Sequence, residues 1–185
     1  MKHTLFFAAF LLIAGQIFSQ KFITRNGHIS FYSEAPLENI EAHNYQASSI
    51  IDTETGDIVF TLLIKGFEFE KALMQEHFNE KYLESDQFPK STFEGVITNL
   101  DEVNLLEEGT HQVQVKGKLT IHGVTKEVTA PAIIENKDGQ LVAKAKFPVA
   151  VADYDITIPK VVANNIAEVV DVTVDVTYDP YQAKK

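Results

Sequence analysis

The chain has 185 residues and no cysteine, so it fits a single domain with a good core, and disulfides, thiolate nucleophiles and Cys-ligated metal sites are excluded. Lys and Arg number 16 against 26 Asp and Glu, which gives a net charge of −10. Because binding phosphates requires a basic face, this balance argues against nucleic acid or an anionic membrane surface as the main partner.

The N-terminus has the layout of a secretory signal peptide. Lys2 is followed by an apolar run over residues 5–14, which is too short to span a bilayer comfortably, and then by small and polar residues. No cysteine follows this run, so a lipoprotein anchor is excluded. We therefore predict a signal peptide over residues 1–19, one domain over residues 20–185, no stable membrane anchor, and a periplasmic or secreted location.

The rest of the chain alternates between turn signals and runs with a period of two residues. In the last run, Val172, Val174 and Val176 share one face, and Thr173 and Asp175 lie on the other. One apolar and one polar face are typical of antiparallel strands around a single interior. The pattern predicts eight strands, near residues 24–33, 41–51, 57–65, 91–100, 110–121, 124–135, 140–150 and 165–178.

One segment, residues 69–83, has a helical period instead. Met74, Phe78 and Tyr82 follow one another at intervals of four residues, with Phe69 and Leu73 beside them. This spacing predicts an amphipathic helix. The predicted fold is therefore all-β, an eight-stranded antiparallel barrel with one helical insertion, because closure removes the edges that would otherwise pair with other chains.

Whether the barrel is filled depends on the side chains that point inward. A barrel of eight strands either fills with its own side chains or holds one small ligand. Small inward residues such as Gly117, Ala143 and Ala145 leave volume, whereas Phe93 and Phe147 occupy it. The sequence favours an open apolar cavity, and a filled barrel remains the alternative.

The sequence offers little support for catalysis or metal binding. No two histidines of the mature chain lie within four residues of each other, and no serine lies in a GxSxG context. Asp153 and Asp155 flank Tyr154, but the regular loop pattern of calcium sites is missing, so a polar turn is the better interpretation. We predict no metal site and no catalytic residue.

The dipeptide His122-Gly123 interrupts an otherwise regular alternation. It fits the two central positions of a tight hairpin, where both residues need a positive φ angle. We therefore predict that His122 is a turn residue and not a catalyst. On this interpretation, His122→Asn would be nearly neutral, and Gly123→Val would reduce stability.

Two segments resemble the YceI-like family of exported bacterial proteins. They are QEHFNEKYLESDQFPKSTFEG, residues 75–95, and GKLTIHGVTKEV, residues 117–128. The resemblance extends from about His28 to Tyr178. It implies a lipocalin-like barrel with an elongated apolar interior that binds a polyisoprenoid chain, such as a quinone tail or a related amphiphile.

The leading hypothesis is thus a periplasmic or secreted protein that carries or sequesters an isoprenoid-type amphiphile, without catalysis. No cofactor is expected beyond a bound isoprenoid quinone or polyprenyl lipid, and the sequence allows a homodimer. Two alternatives stay open: a stress-related protein or enzyme that acts on a small amphiphile at the barrel mouth, with His77 or Tyr154 as acid or base, and a partner-binding module with a filled barrel. The predicted ligand-binding residues are Phe31, Phe60, Leu62, Phe78, Tyr82, Phe93, Ile97, Val113, Val115, Leu119, Ala143, Ala145, Phe147, Val149, Tyr154, Val172 and Val174.

Overall fold

The computed structural model describes residues 21–182. The predicted signal peptide lies outside the described residues, and so do the first residue and the last three residues of the predicted domain. Within residues 21–182, nine strands and one short α-helix follow one another. They are β1 Lys21–Glu34, β2 Asn39–Asp52, β3 Asp57–Leu63, β4 Glu68–Phe69, α1 Ala72–His77, β5 Lys90–Ile97, β6 Gly109–Ile121, β7 Val124–Lys137, β8 Gln140–Ala150 and β9 Val169–Pro180.

Eight of these strands form a closed antiparallel barrel, which confirms the predicted fold class. Neighbouring strands pair in the order β1-β9-β8-β7-β6-β5-β3-β2, and β1 also pairs with β2, so the ring closes. The additional strand β4 contributes two residues beside β2, where Phe69 pairs with Ala42. Closure of the ring gives every long strand a paired neighbour on each side.

The two ends of the barrel differ in the length of their connections. At one end, which we call the closed end, the strands are joined by residues 53–56, 98–108 and 138–139. At the other end, which we call the roof, the connections are residues 35–38, 64–89, 122–123 and 151–168. Most of the chain outside the strands therefore lies over the roof, and α1 is part of it.

A dense hydrophobic core fills the closed end. Tyr178 is 1 % exposed, and its hydroxyl shares a hydrogen bond of 2.7 Å with the Ser49 hydroxyl. Leu105 enters this core from the connection between β5 and β6. The buried members of the core are Phe22, Ile51, Ile58, Ile97, Leu105, Val113, Ile134, Leu141, Val176 and Tyr178.

The hairpin between β6 and β7 has the backbone predicted from its sequence. His122 has a φ angle of 51° and Gly123 one of 76°, so both central residues are left-handed. The ladder on either side runs without a break from Ile121–Val124 to Gly109–Asn136. The interpretation of His122 as a turn residue agrees with this geometry.

The predicted helix is shorter than its apolar period suggests. It begins at Ala72 instead of Phe69, because Phe69 lies in β4, and it passes into a π-helical turn over Phe78–Tyr82. Met74, Phe78 and Tyr82 face the barrel interior as expected. Leu73 does not, since its residue surface is 61 % exposed.

The wall of the barrel is paired unevenly between β7 and β8. Their ladder runs from Lys137–Gln140 only as far as Ala132–Ala145, in the half nearer the closed end. Pro131 and Pro148 follow on the roof side, and a proline has no N–H to donate to a ladder. The 3₁₀ turn Val151–Tyr154 packs near β7 in that region.

Candidate ligand-binding cavity

An apolar cavity of about 480 Å³ lies between the closed-end core and the roof. Ligand pockets in proteins typically have volumes of roughly 300–1,000 Å³. Strand residues such as Ile29, Leu62 and Val115 line the wall because alternate side chains of each strand point inward. The barrel therefore contains an open cavity, which agrees with the prediction from its small inward side chains.

Small residues shape the wall: four alanines line the cavity, and two glycines make room for the ring of Phe93. The alanines lie on β7 and β8, and they are Ala130, Ala132, Ala143 and Ala145. Gly95 and Gly117 pair across β5 and β6, and the Phe93 ring lies against both. An added Cβ atom on Gly95 or Gly117 would lie 2.5 Å or 2.7 Å from Phe93 Cζ. The glycines thus let a large ring lie flat against the wall.

Four phenylalanines form the part of the roof that covers the cavity. Phe78, from the π-helical turn, stacks on Phe31 of β1 with a centroid distance of 5.6 Å. It also packs against Phe67 and Phe69, at 5.5 Å and 5.0 Å. Aromatic pairs at these distances add to the stabilisation that burial alone provides. This cluster, Phe31, Phe67, Phe69 and Phe78, attaches the insertion to the barrel.

Few polar side chains reach the cavity, and several of them already have partners. Ser33 Oγ accepts a hydrogen bond from the Ala167 N–H at 2.9 Å, and Ser91 Oγ donates one to the Thr120 carbonyl at 2.8 Å. Glu38 accepts one from Lys71, and this bond lowers the pKa of the Glu38 carboxyl.

His77 and Tyr82 supply further polar groups to the lining near the roof. Burial raises the pKa of the Tyr82 phenol above its ordinary value, so at neutral pH the phenol is protonated and can donate a hydrogen bond. In the part of the chain that the structure describes, no group of three or more His, Cys, Asp or Glu residues could hold a metal ion. Such a lining suits an apolar molecule with a small polar end at the roof.

Most of the residues predicted to bind the ligand lie together on the cavity lining. These are Phe31, Phe60, Leu62, Phe78, Tyr82, Phe93, Val115, Leu119, Ala143, Ala145, Phe147, Val149, Val172 and Val174. The period of two residues identified the inward face correctly on β5, β6, β8 and β9.

Three predicted residues lie outside the lining. Ile97 and Val113 point inward, but they belong to the closed-end core below the cavity. Tyr154 is 3 % exposed and packs with Leu119 and Val149 under the roof. Alternation along a strand identifies the face of a residue but not its height in the barrel, and Tyr154 lies in no strand.

The connection between β8 and β9 contributes lining residues that were not predicted from the sequence. Ile156, Ile158 and Val162 line the cavity, although their stretch has no strand period, and Ile166 lines it from just before the start of β9. Isolated apolar residues in a connection give no periodic signal. Their number within one loop was the available indication that the loop covers something apolar.

His122 joins three parts of the roof. Its Nδ1 atom lies 3.1 Å from the Tyr154 carbonyl oxygen, and its Nε2 atom lies 2.8 Å from Glu84 Oε2. The Phe88 ring packs edge-on against the imidazole at 4.6 Å. Both polar partners are hydrogen-bond acceptors, and each ring nitrogen of His122 contacts one of them. The structure therefore predicts a cost for His122→Asn, in place of the neutral outcome predicted from the sequence.

The fold has close counterparts among solved structures. A polyisoprenoid binding domain from Saccharophagus degradans superposes with a TM-score of 0.74 at 13 % identity, over 88 % of this chain and 99 % of that one. BcnA from Burkholderia cenocepacia gives 0.68 at 17 % identity, over 82 % and 95 %. A YCEI protein from Campylobacter jejuni gives 0.59 at 15 % identity, over 82 % and 90 %.

The sequence comparisons agree with this likeness of fold. No curated protein matches the sequence significantly. The family model described as "YceI-like domain" matches residues 21–178, which include every strand of the barrel except the last two residues of β9. The chain therefore belongs to the YceI-like family.

Proposed function

We propose that the protein is an exported carrier that holds an isoprenoid-type amphiphile, such as a quinone or a polyprenyl lipid, in the barrel. The observation that carries this proposal is the apolar cavity of about 480 Å³, closed at one end by the core and covered at the other by aromatic residues. The polyisoprenoid binding domain from Saccharophagus degradans, which has the same fold, supports the class of ligand.

The physical basis is transfer of a hydrocarbon tail out of water. Each Å² of apolar surface removed from water contributes about 25 cal/mol. Most of the residues that line the wall are apolar, so an extended tail fits better there than a polar substrate. The tail would lie toward Ile134 and Tyr178 of the core, and the polar end would lie near His77 and Tyr82.

Location and activity complete the proposal. Export to the periplasm or the medium rests on the predicted signal peptide over residues 1–19. In the described chain, no helix has the length and apolar character needed to cross a membrane. The role is binding rather than turnover, because the lining contains long apolar faces and few groups that could transfer a proton.

Extraction of the purified protein tests the proposal directly. Organic extraction followed by mass spectrometry should yield a prenyl lipid at a nearly stoichiometric level. Protein that is repeatedly free of lipid, and that takes up no added quinone, would contradict the proposal.

A variant that fills the cavity provides a sharper test. Ala145→Phe places a ring in the cavity, and the bound prenyl lipid should therefore fall at least about tenfold. The protein should still fold, because the cavity has room for the ring. Val59→Phe is the matched control, because Val59 is 45 % exposed on the outside of the barrel. Equal lipid content in both variants would show that the cavity is not the binding site.

Catalysis on a small amphiphile at the roof is the second candidate, and it now depends on His77. His77 lines the cavity, whereas Tyr154 does not. Turnover of an amphiphile that disappears in His77→Ala and persists in His111→Ala would support this candidate.

A further inference from the structure

Three large apolar side chains are exposed at the roof. Leu37 is 71 % exposed, Leu73 is 61 % exposed and Val161 is 89 % exposed. They come from three separate connections of the barrel, residues 35–38, 64–89 and 151–168. Single exposed apolar residues are frequent on protein surfaces and need no explanation, whereas a cluster of them indicates an interaction site.

Hydrogen bonds join the three segments into one rim. The Leu37 N–H donates a hydrogen bond to the carbonyl oxygen of Asn164 at 2.9 Å, and Asn164 lies three residues after Val161 in the chain. Lys71 Nζ, two residues before Leu73, donates to Glu38 Oε1 at 2.7 Å. Leu37, Leu73 and Val161 therefore belong to a single bonded structure around the roof, which we call the apolar rim.

The apolar rim lies where the cavity approaches the surface. Each of its residues is followed in the chain by one that lines the cavity: Glu38 after Leu37, Met74 after Leu73 and Val162 after Val161. All three of these lining residues are partly exposed. At the other end of the cavity, the lining residues Ile51, Ile134 and Tyr178 are each 1 % exposed.

We propose that the apolar rim docks on the interface of a lipid bilayer, so that the amphiphile passes between bilayer and cavity without crossing water. This inference rests on the proposed function, because the bilayer is the phase in which a prenyl lipid dissolves. An apolar rim that continues into an apolar cavity provides an unbroken path for the tail. A bilayer is therefore the occupant that the chemistry of this end fits.

The charge of the molecule determines which bilayer the rim fits. The net charge is −10, so an anionic surface repels the protein as a whole. Beside its apolar residues the rim carries Lys160 and Lys71, and the charge of Lys71 is offset by its ion pair with Glu38. Docking through apolar contact should consequently be at least as strong on a zwitterionic phosphatidylcholine bilayer as on one that contains phosphatidylglycerol, and it should persist at high salt.

The absence of tryptophan from the sequence allows a direct test. Val161→Trp and Leu37→Trp each place a single indole on the rim. Leu106→Trp is the matched control, because Leu106 is 44 % exposed at the closed end. On phosphatidylcholine vesicles with brominated acyl chains, we expect quenched emission from the two rim variants and unchanged emission from the control. Equal quenching at all three positions, or none at the rim, would overturn the proposal.

A second measurement separates docking from ligand binding. The triple variant with Leu37→Ser, Leu73→Ser and Val161→Ser should bind phosphatidylcholine vesicles at least about tenfold more weakly and retain its prenyl lipid. Unchanged vesicle binding would refute the docking surface and leave the proposed function standing. Loss of a dimer in size-exclusion chromatography, without loss of vesicle binding, would assign the rim to a second copy of the chain and also overturn the proposal. Wild-type protein that contains no prenyl lipid and takes up none would refute the proposed function instead.

Discussion

At the scale of single residues, Tyr178 makes the closed end sensitive to alkaline pH. Burial raises the pKa of its phenol far above the ordinary value, and the hydrogen bond with Ser49 opposes this shift only in part. The unfolded chain releases this proton near pH 10, whereas the folded chain keeps it. The contribution of Tyr178 to the free energy of unfolding should therefore be constant below about pH 10 and decrease as the pH rises above that value.

The free energy of unfolding in urea, measured between pH 8 and pH 11, checks this prediction. Tyr178→Phe should be less stable at neutral pH by about 1 kcal/mol, because Ser49 loses its partner, and it should show a smaller loss above pH 10. Tyr45→Phe is the control, since Tyr45 is 52 % exposed. Equal pH slopes in the two variants would show that Tyr178 is not the responsible group.

His122 is a second residue whose contribution exceeds its place in the turn. His122→Asn keeps a residue that tolerates positive φ but loses the contacts with Glu84 and the Tyr154 carbonyl. We expect a loss of about 1–3 kcal/mol in the free energy of unfolding. His111→Asn should cost less, because the bond from His111 to the Glu107 carbonyl is exposed. A smaller loss at His122 than at His111 would contradict this role.

At the scale of elements, the close approach of β5 and β6 depends on a pair of glycines. A Cβ atom on Gly117 would lie 2.4 Å from the Glu94 carbonyl oxygen and 2.5 Å from Gly95 Cα, both of which are backbone atoms. Gly117→Ala should thus reduce the free energy of unfolding by about 1–3 kcal/mol, as measured by urea denaturation. Gly139→Asn should be nearly neutral, because a Cβ there meets nothing within 4 Å and Asn tolerates the positive φ angle. Equal losses of stability in Gly117→Ala and Gly139→Asn would show that the close approach of β5 and β6 does not depend on the glycine pair.

The elements differ in how far the sequence predicted them. The long strand β6 was predicted well, because alternation over many residues leaves one face for the interior, whereas the last strand begins at Val169 and not at residue 165. The two-residue strand β4 was missed, since its pairing with β2 depends on a tertiary contact. For the same reason the predicted helix was too long at its start. Ile97 and Val113 were placed on the correct face, but their position in the core depends on the axial stagger of the strands, which no local pattern records.

At the scale of the whole molecule, the cavity makes stability depend on its occupant. A ligand that binds only the folded state stabilises it by about 2.7 kcal/mol at a free concentration a hundred times its Kd. Removal of the bound lipid should therefore lower the midpoint of thermal unfolding, and addition of a prenyl quinone should restore it. Ala145→Phe should respond to neither treatment, and a full response in that variant would contradict binding in the cavity.

The short ladder between β7 and β8 has a consequence for the circumference of the barrel. Beyond Ala132 and Ala145, these two strands share no backbone hydrogen bond within the described chain, and Pro131 and Pro148 offer no N–H for one. Moving the strands apart on the roof side therefore breaks no bond between them, whereas β6 and β7 are joined along their whole length. The girth of the barrel beside the cavity is therefore set there by side-chain packing around Tyr154, and not by a backbone ladder.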